Sequence, residues 1–318
     1  MSFEIRPATR VGVRPLVGFY GRSGSGKTMS ALLFARGLAG DKGRVVLVDT
    51  ENGRGSIFAD LIPGGYSVID LDVPFTPNRY QEAIVTAEKA ADVVVVDSLS
   101  QEWSGEGGVL DWAEAELQAM GGGDNNKMRS WIKPKTAHKL MVQRLVRCAV
   151  PLICCLRAEE KTHVTKAEGG QKGKVVTDDF SSPLFDPRFI FEMLLNFETV
   201  SRDGEGGFVI PRKITHPSIA ALLPARDQQI TVGHGEALAK WCASPGKTPA
   251  TTAKPKDDLA TLKRELWDLT KPKHGGDKAK FVQFLVNEAL IDPATPVEEL
   301  SAENLKAVLA ATKKKINA

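Results

Sequence analysis

The tightest constraint on what this chain can fold into is eight residues long: Gly21-Arg22-Ser23-Gly24-Ser25-Gly26-Lys27-Thr28. It fits G-x-x-x-x-G-K-[ST], directly after the apolar run at residues 15–20 and directly before the apolar-striped run at 28–38. Strand, glycine-rich loop and helix in that order make an anion cradle. The glycines let backbone N–H groups close on phosphate oxygens, and the positive end of the helix faces them. Gly21, Arg22, Ser23, Gly24, Ser25 and Gly26 are the candidate phosphate contacts. Lys27 is placed to reach β and γ oxygens, and the Thr28 hydroxyl to bind Mg²⁺.

Three further short apolar runs, at residues 44–49, 93–97 and 151–156, alternate with helix-like stretches at 28–38, 78–90 and 136–148. Such alternation predicts an α/β core: a mainly parallel sheet, helices on both faces, and ligands at the carboxyl ends of the strands. Residues 66–71 read as a fifth strand. Past Thr177 two longer runs, 189–202 and 207–216, flank the turn-like Asp203-Gly204-Glu205-Gly206, which predicts an antiparallel extension of the sheet. Residues 244–256, rich in Pro, Thr and Lys, read as a flexible linker. The expected organisation is a core at 1–243, that linker, and a small helical module at 257–318.

The 318 residues carry 42 Lys+Arg against 39 Asp+Glu, a net charge of +3. A protein-wide basic coat is excluded, so any polyanion must meet a local patch. The cysteines Cys148, Cys154, Cys155 and Cys242 form no C-x-x-C pair and read as buried free thiols of a reducing compartment. The five histidines are scattered without metal-ligand spacing. No run approaches the roughly 18 apolar residues of a membrane span, and residues 1–10 lack the apolar segment of a leader, so the expected location is cytoplasmic with no membrane partner.

Phosphoryl transfer depends on positioning and charge neutralisation, so a nucleotide site needs a carboxylate near Mg²⁺ and a group that orients water. Asp97 ends the run Val93 to Val96 and suits Mg²⁺ through a water; Glu51 follows Val45 to Asp49 at the same edge of the sheet. Either acid could instead cap the turn after it, and the pattern alone does not separate Asp49 from Glu51.

In this order, the phosphate loop, V-D-T-E-x-G at 48–53 and V-V-V-V-D-S at 93–98 resemble the RecA superfamily of recombination ATPases over about residues 12–243. Within it the chain looks most like the compact phage-encoded ATPases that promote single-strand annealing. The resemblance implies a RecA-like P-loop core that binds ATP and Mg²⁺, with Lys27 and Glu51 in catalysis, Glu51 orienting the hydrolytic water. For a phage-encoded chain the location would be the host cytoplasm. Pro211-Arg212-Lys213-Ile214 resembles the late family segment whose lysines reach the γ-phosphate across a subunit interface. Lys213 would then act in trans in a head-to-tail homo-oligomer; a solvated strand-end lysine is the competing reading. Where the family has a γ-phosphate-sensing amide after the fourth core strand, this chain has Arg157, which either senses phosphate or pairs with Glu159 or Glu160.

The family holds single-stranded DNA on loops after its third and fourth core strands. Residues 161–174 form the expected basic loop, with Lys161, Lys166, Lys172 and Lys174 against the single acid Glu168. The other candidate region follows Gly121-Gly122-Gly123 and carries Lys127, Arg129, Trp131 and Lys133. Cations neutralise phosphates and an exposed aromatic stacks on a base, although Trp131 also fits a core residue stapling the next helix. The resemblance implies a DNA-stimulated ATPase that binds single-stranded DNA and anneals or pairs homologous strands. For the C-terminal module the resemblance suggests a single-stranded-DNA-binding protein or another phage replication protein as partner. Two other readings compete: a nucleotide-gated DNA-loading module with little hydrolysis, and a P-loop kinase for a small molecule.

Overall fold

A computed structural model of the protein describes residues 12–164, 175–244, 259–293 and 297–316. These form two compact units. The larger opens with β1 (Leu16–Gly21), α1 (Lys27–Ala39), β2 (Val45–Asp49), a 3-10 turn (Arg54–Phe58), β3 (Ser67–Asp70), α2 (Pro77–Ala90) and β4 (Val93–Asp97). Four helices follow: α3 (Ser100–Ser104), α4 (Val109–Ala119), α5 (Asp124–Ser130) and α6 (Ile132–Val146). Then come β5 (Leu152–Val164), β6 (Val175–Pro183), α7 (Phe189–Glu192), β7 (Leu195–Arg202), β8 (Glu205–Ile214), α8 (Pro217–Ala220), β9 (Gln228–Gln229) and α9 (Val232–Ala243).

The strands form a sheet in the order β3-β2-β4-β5-β1-β7-β8-β9, with β6 paired on β5. Pairing from β3 to β7 is parallel; β5–β6, β7–β8 and β8–β9 are antiparallel. This is the expected α/β core with a mainly parallel sheet and an antiparallel extension. Its central strands read as unbroken apolar runs because both faces are covered. Val94 and Val96 of β4 pack with Tyr80, Ile84, Met141 and Leu145 of α2 and α6, while Val93 and Val95 pack with Leu32 and Phe34 of α1 and Leu238 of α9. Phe19, Phe34 and Phe197 meet at ring-centroid distances of 5.2 to 6.2 Å in the second layer. Helices α1 and α9 touch at Gly37 and Gly235, where a Cβ on Gly37 would lie 2.0 Å from the Val232 carbonyl oxygen.

Three expectations change. Residues 161–174 are not one loop: β5 continues to Val164 and β6 begins at Val175, so Lys161 lies in a strand, while Lys166, Lys172 and Lys174 fall outside the described residues. Residues 189–202 are not one strand. Phe189 and Met193, four apart, both enter the core while Phe191 is 70% exposed, so the run begins as a helical turn and only continues as β7. Residues 121–135 fold into α5 and the first turn of α6; Pro134 sits in that first turn, where its missing N–H has no helical partner to lose. The predicted turn at 203–206 is tighter, with Asp203 and Gly204 at φ of 50° and 85° between the paired residues Arg202 and Glu205.

The smaller unit comprises α10 (Leu259–His274), α11 (Lys278–Asn287), a 3-10 turn (Val297–Glu299) and α12 (Ala302–Ile316) around Leu266, Phe281, Leu285 and Leu305. Asp277 caps α11, its side chain accepting from the Ala279 and Lys280 N–H groups at 2.8 and 3.2 Å. Among the described residues no helix is long and apolar enough to cross a membrane. Truncating the centre of the second layer tests this packing: Phe34→Ala should cost about 3–5 kcal/mol of unfolding free energy in a denaturant titration.

Candidate nucleotide site

Between β1 and α1 the chain must turn tightly, and Gly24 and Gly26 do so at φ of +79° and +86°. The loop is braced from behind by the β7–β8 hairpin. The Gly207 N–H donates to the Ser25 carbonyl at 2.8 Å, the Ser25 and Thr199 hydroxyls lie 2.7 Å apart, and the Ser201 hydroxyl donates to the Gly24 carbonyl at 3.3 Å. A Cβ on Gly26 would come within 2.3 Å of the Gly207 nitrogen. Sequence reasoning saw only a turn at 203–206; its supporting role for the phosphate loop, 180 residues away in sequence, left no local signal. Lys27 is buried, and its Nζ donates to the carbonyls of Gly21 and Arg22 at 3.1 and 2.9 Å.

The carboxylates come from adjacent strands. In the β2–β4 ladder Asp49 stands opposite Asp97, which brings both strand ends to one side of the loop. The Thr28 hydroxyl donates to Asp97 Oδ2. Burial pushes the Asp97 carboxyl up to about 6, with the Thr28 hydrogen bond and Lys27 pulling down and Glu51 and Asp49 pushing up. Asp49 is used locally: its two oxygens accept the N–H groups of Glu51 and Gly55 at 2.7 and 2.8 Å. Both acids line the cavity, but they differ in use: the two Asp49 oxygens are taken by N–H groups of the turn. Glu51 Oε1 accepts from Arg157 Nε and Nη2 at 3.2 and 2.8 Å, and Oε2 lies 3.5 Å from Arg54. Arg157 therefore pairs with Glu51 rather than with Glu159 or Glu160. Arg54 escaped the sequence reading, although its place three residues after Glu51 was a visible signal.

A cavity of about 320 Å³ is lined by Ser23, Gly24, Gly26, Lys27 and Thr28 of the loop, together with Glu51, Arg54, Asp97, Arg157 and Gly206. Gly21 and Ser25 shape the loop without lining the cavity, and Arg22 pairs at the surface with Glu160 at 3.0 Å. The groups present fit a nucleoside triphosphate carrying Mg²⁺. A hydroxyl and a carboxylate converge as hard oxygen donors, a buried lysine sits under a glycine loop, and guanidiniums stand beside a carboxylate. Mg²⁺, when bound, supplies charge neutralisation on the phosphate oxygens. Thr28 and Asp97 are the residues that would hold it, Lys27 would add positive charge to the phosphates, and Glu51 would accept a proton from water only with an oxygen turned away from its arginines.

The other expected residues lie elsewhere. Lys213 is not in this cavity: its Nζ donates to the Phe191 and Ile190 carbonyls at 2.6 and 3.3 Å, at the end of α7. Lys127 pairs with Asp124 at 2.6 Å and Lys133 with Glu116 at 2.9 Å, while Arg129 is exposed. Trp131 is half-buried, with its ring centroid 6.2 Å from that of Trp103 and 5.1 Å from Lys135 Nζ.

A strand-loop-helix cradle, a buried lysine and two strand-end acids define a P-loop ATPase. The profile of the AAA domain family matches residues 15–180, more than half of the chain, which belongs to that family. No curated protein sequence matches it. Among solved structures it is similar to the KaiC-like protein PH0186 of the hyperthermophilic archaeon Pyrococcus horikoshii OT3, at 14% identity over 66% of this chain and 89% of that one, with a TM-score of 0.35. It is also similar to a prototypical ATPase from the type III secretion system of pathogenic bacteria, at 12% identity over 94% of this chain and 79% of that one, again with a TM-score of 0.35. Likenesses this distant carry no functional argument.

Lys27→Ala should abolish binding of a fluorescent ATP analogue. Asp97 gives a second test with a definite sign. Its folded value lies above the ordinary 3.8, so between about pH 4 and 6 the native state keeps a proton that the unfolded chain has lost, and stability falls as pH rises through that window. Asp97→Asn should flatten this fall in denaturant titrations of the nucleotide-free protein and remove the Mg²⁺ dependence of nucleotide binding.

Proposed function

We propose that the chain is an ATP-dependent single-stranded-DNA-binding protein of recombination, hydrolysing ATP while it anneals or pairs homologous strands. One connection carries this reading: β5, the strand that puts Arg157 into the nucleotide cavity, runs on into the β5–β6 hairpin. The sequence joining those strands holds Lys166, Lys172 and Lys174. A polyanion held there would be attached through one strand to the residue that grips Glu51.

A second surface supports the reading. The groove between α6 and residues 186–192, about 810 Å³, is lined by Lys135, Lys139, Arg147 and Arg188. Of its two acids, Glu192 and Asp186, the latter is paired with Arg188 at 3.1 Å. Lys135 and Lys139, four apart, share one side of α6, and Arg147 at its C-cap lines the same groove; Arg129 and Trp131 are close to them in sequence. At the inner end His138 Nδ1 meets the fully buried Glu102 carboxylate at 3.0 and 3.1 Å, and burial holds Glu102 above the usual carboxylate range against the pull of His138. Glu102 lies five residues past Asp97, so this groove too is tied to the nucleotide site.

The oligomer in this proposal is head-to-tail. Ile57, which lines the nucleotide cavity and is 65% exposed, and Leu61, four residues on and 55% exposed, suit burial against a second copy, whose Lys213 could then approach the phosphates. The C-terminal helices are assigned the contact with a single-stranded-DNA-binding protein. One observation favours the loading-module reading instead: both oxygens of Glu51 are occupied by arginines.

ATP turnover with and without oligo(dT), at fixed salt and Mg²⁺, separates the two. Stimulation by oligo(dT) that disappears in Glu51→Gln supports the recombination ATPase; ATP-dependent DNA binding without turnover supports the loading module. Replacing both Lys139 and Arg147 by alanine should lower the slope of log affinity against log salt by about 1.4, the share of two phosphate contacts on a single strand. An unchanged slope removes the groove from the DNA path.

A further inference from the structure

The geometry points to Thr50 and Tyr80 as positioning residues that aim the Asp97 carboxylate at the Thr28 hydroxyl and at Mg²⁺. This rests on the assignment of Asp97 to the metal and needs no reading of DNA. The β2–β4 ladder ends with Asp49 opposite Asp97. Past that pair the Thr50 N–H still donates to the Asp97 carbonyl at 2.9 Å, and then the Thr50 side chain takes over. Its hydroxyl accepts from the Ser98 N–H at 2.7 Å and donates to the Ser98 carbonyl at 3.2 Å. Tyr80 of α2, fully buried, donates its own hydroxyl to the same carbonyl at 2.8 Å.

These bonds exceed what burial demands. Ser98 is fully buried, so its N–H and its carbonyl each need a partner. One donor satisfies the carbonyl, yet it accepts from two, brought from the end of β2 and from α2. Valine and phenylalanine would fill the same places without carrying hydroxyls into the core. Two donors on different elements fix where the carbonyl points, and with it the backbone that carries Asp97. The far side of the segment is braced from β5: the Leu99 N–H donates to the Cys155 carbonyl at 2.9 Å, and the Ser100 hydroxyl accepts from the Arg157 N–H at 2.9 Å.

What the segment holds is a carboxylate among its own kind. Asp97 is buried, stands opposite Asp49 and shares the cavity lining with Glu51. Neighbouring carboxylates repel it, so its direction has to come from its backbone and from Thr28, whose hydroxyl donates to Oδ2. Thr50 lies between Asp49 and Glu51 in the chain, so one hydroxyl ties together the ends of the two acid-bearing strands.

The full-length protein tests this by titrating Mg²⁺ against binding of a fluorescent ATP analogue, with melting curves alongside. Thr50→Val keeps the side-chain shape and removes the hydroxyl. It should raise the half-saturating Mg²⁺ concentration by about tenfold or more, as loss of a group behind a metal ligand does, with binding in EDTA within about twofold of wild type. Thr50→Ser, which restores the hydroxyl, should recover most of that loss. Tyr80→Phe leaves both Thr50 side-chain bonds in place and should raise the requirement by about fivefold, the equivalent of one neutral hydrogen bond. An unchanged Mg²⁺ requirement in Thr50→Val, with a lowered melting temperature, marks a purely structural role and overturns the proposal. If Thr50→Val does not fold, Tyr80→Phe decides by the same comparison. A wild type whose binding ignores Mg²⁺ removes the metal role of Asp97 and the proposal with it. The readout is binding, so the result stands whether or not the chain turns over ATP.

Discussion

The register of β4 against its neighbours is the constraint from which the nucleotide site follows. Asp97 stands opposite Asp49 on one side, and Val94 to Val96 pair with Leu152 to Cys154 of β5 on the other. Strand β5 in turn pairs with β1 up to Gly21. These parallel ladders carry Asp97, the Glu51 turn and the phosphate loop to one sheet edge without any side chain having to reach far. A slip of one residue in β4 would turn Val94 and Val96 from the α2–α6 layer into the α1–α9 layer and carry Asp97 away from Thr28. The complete burial of Val93 to Val96 is what specifies that register.

Much of this was legible because its signals are short-range. The phosphate loop is contiguous, and Asp97 and Glu51 each follow an apolar run by zero or two residues, so motif and strand end could be read together. The separation of Asp49 from Glu51 was not legible, since it depends on which carboxylate turns back to accept the N–H groups of Glu51 and Gly55. The partner of Arg157 was missed for a different reason. Glu159 and Glu160 are near in sequence, whereas Glu51 is 106 residues away and is brought in only by the sheet order.

The errors in secondary structure also have physical causes. In residues 189–195 almost every side chain is apolar, so periodicity could not distinguish a helical turn from a strand; the solvent position of Phe191 between the buried Phe189 and Met193 decides it. The lysines and glycines of 161–174 suggested an irregular loop, yet the backbone of Glu159 to Val164 pairs with Val175 to Ser182. Strand pairing needs only backbone groups, and a polar strand outside the core shows no hydrophobic alternation to reveal it.

The position of α3 gives the proposed function its physical basis. It begins three residues after Asp97; Ser100 in its first turn holds the Arg157 backbone, and Glu102, two residues on, holds His138 of α6. The Arg157 backbone and the helix bearing Lys135 and Lys139 thus both bond to one five-residue element that begins three residues after Asp97, packed so that Glu102 is fully buried. Glu102 could not move alone without giving up its hydrogen bond to His138 inside the core, which couples α3 to α6. A ligand on the basic side of α6 and a phosphate in the cavity would therefore bias the same element. That coupling is what the proposed DNA-responsive ATPase would use.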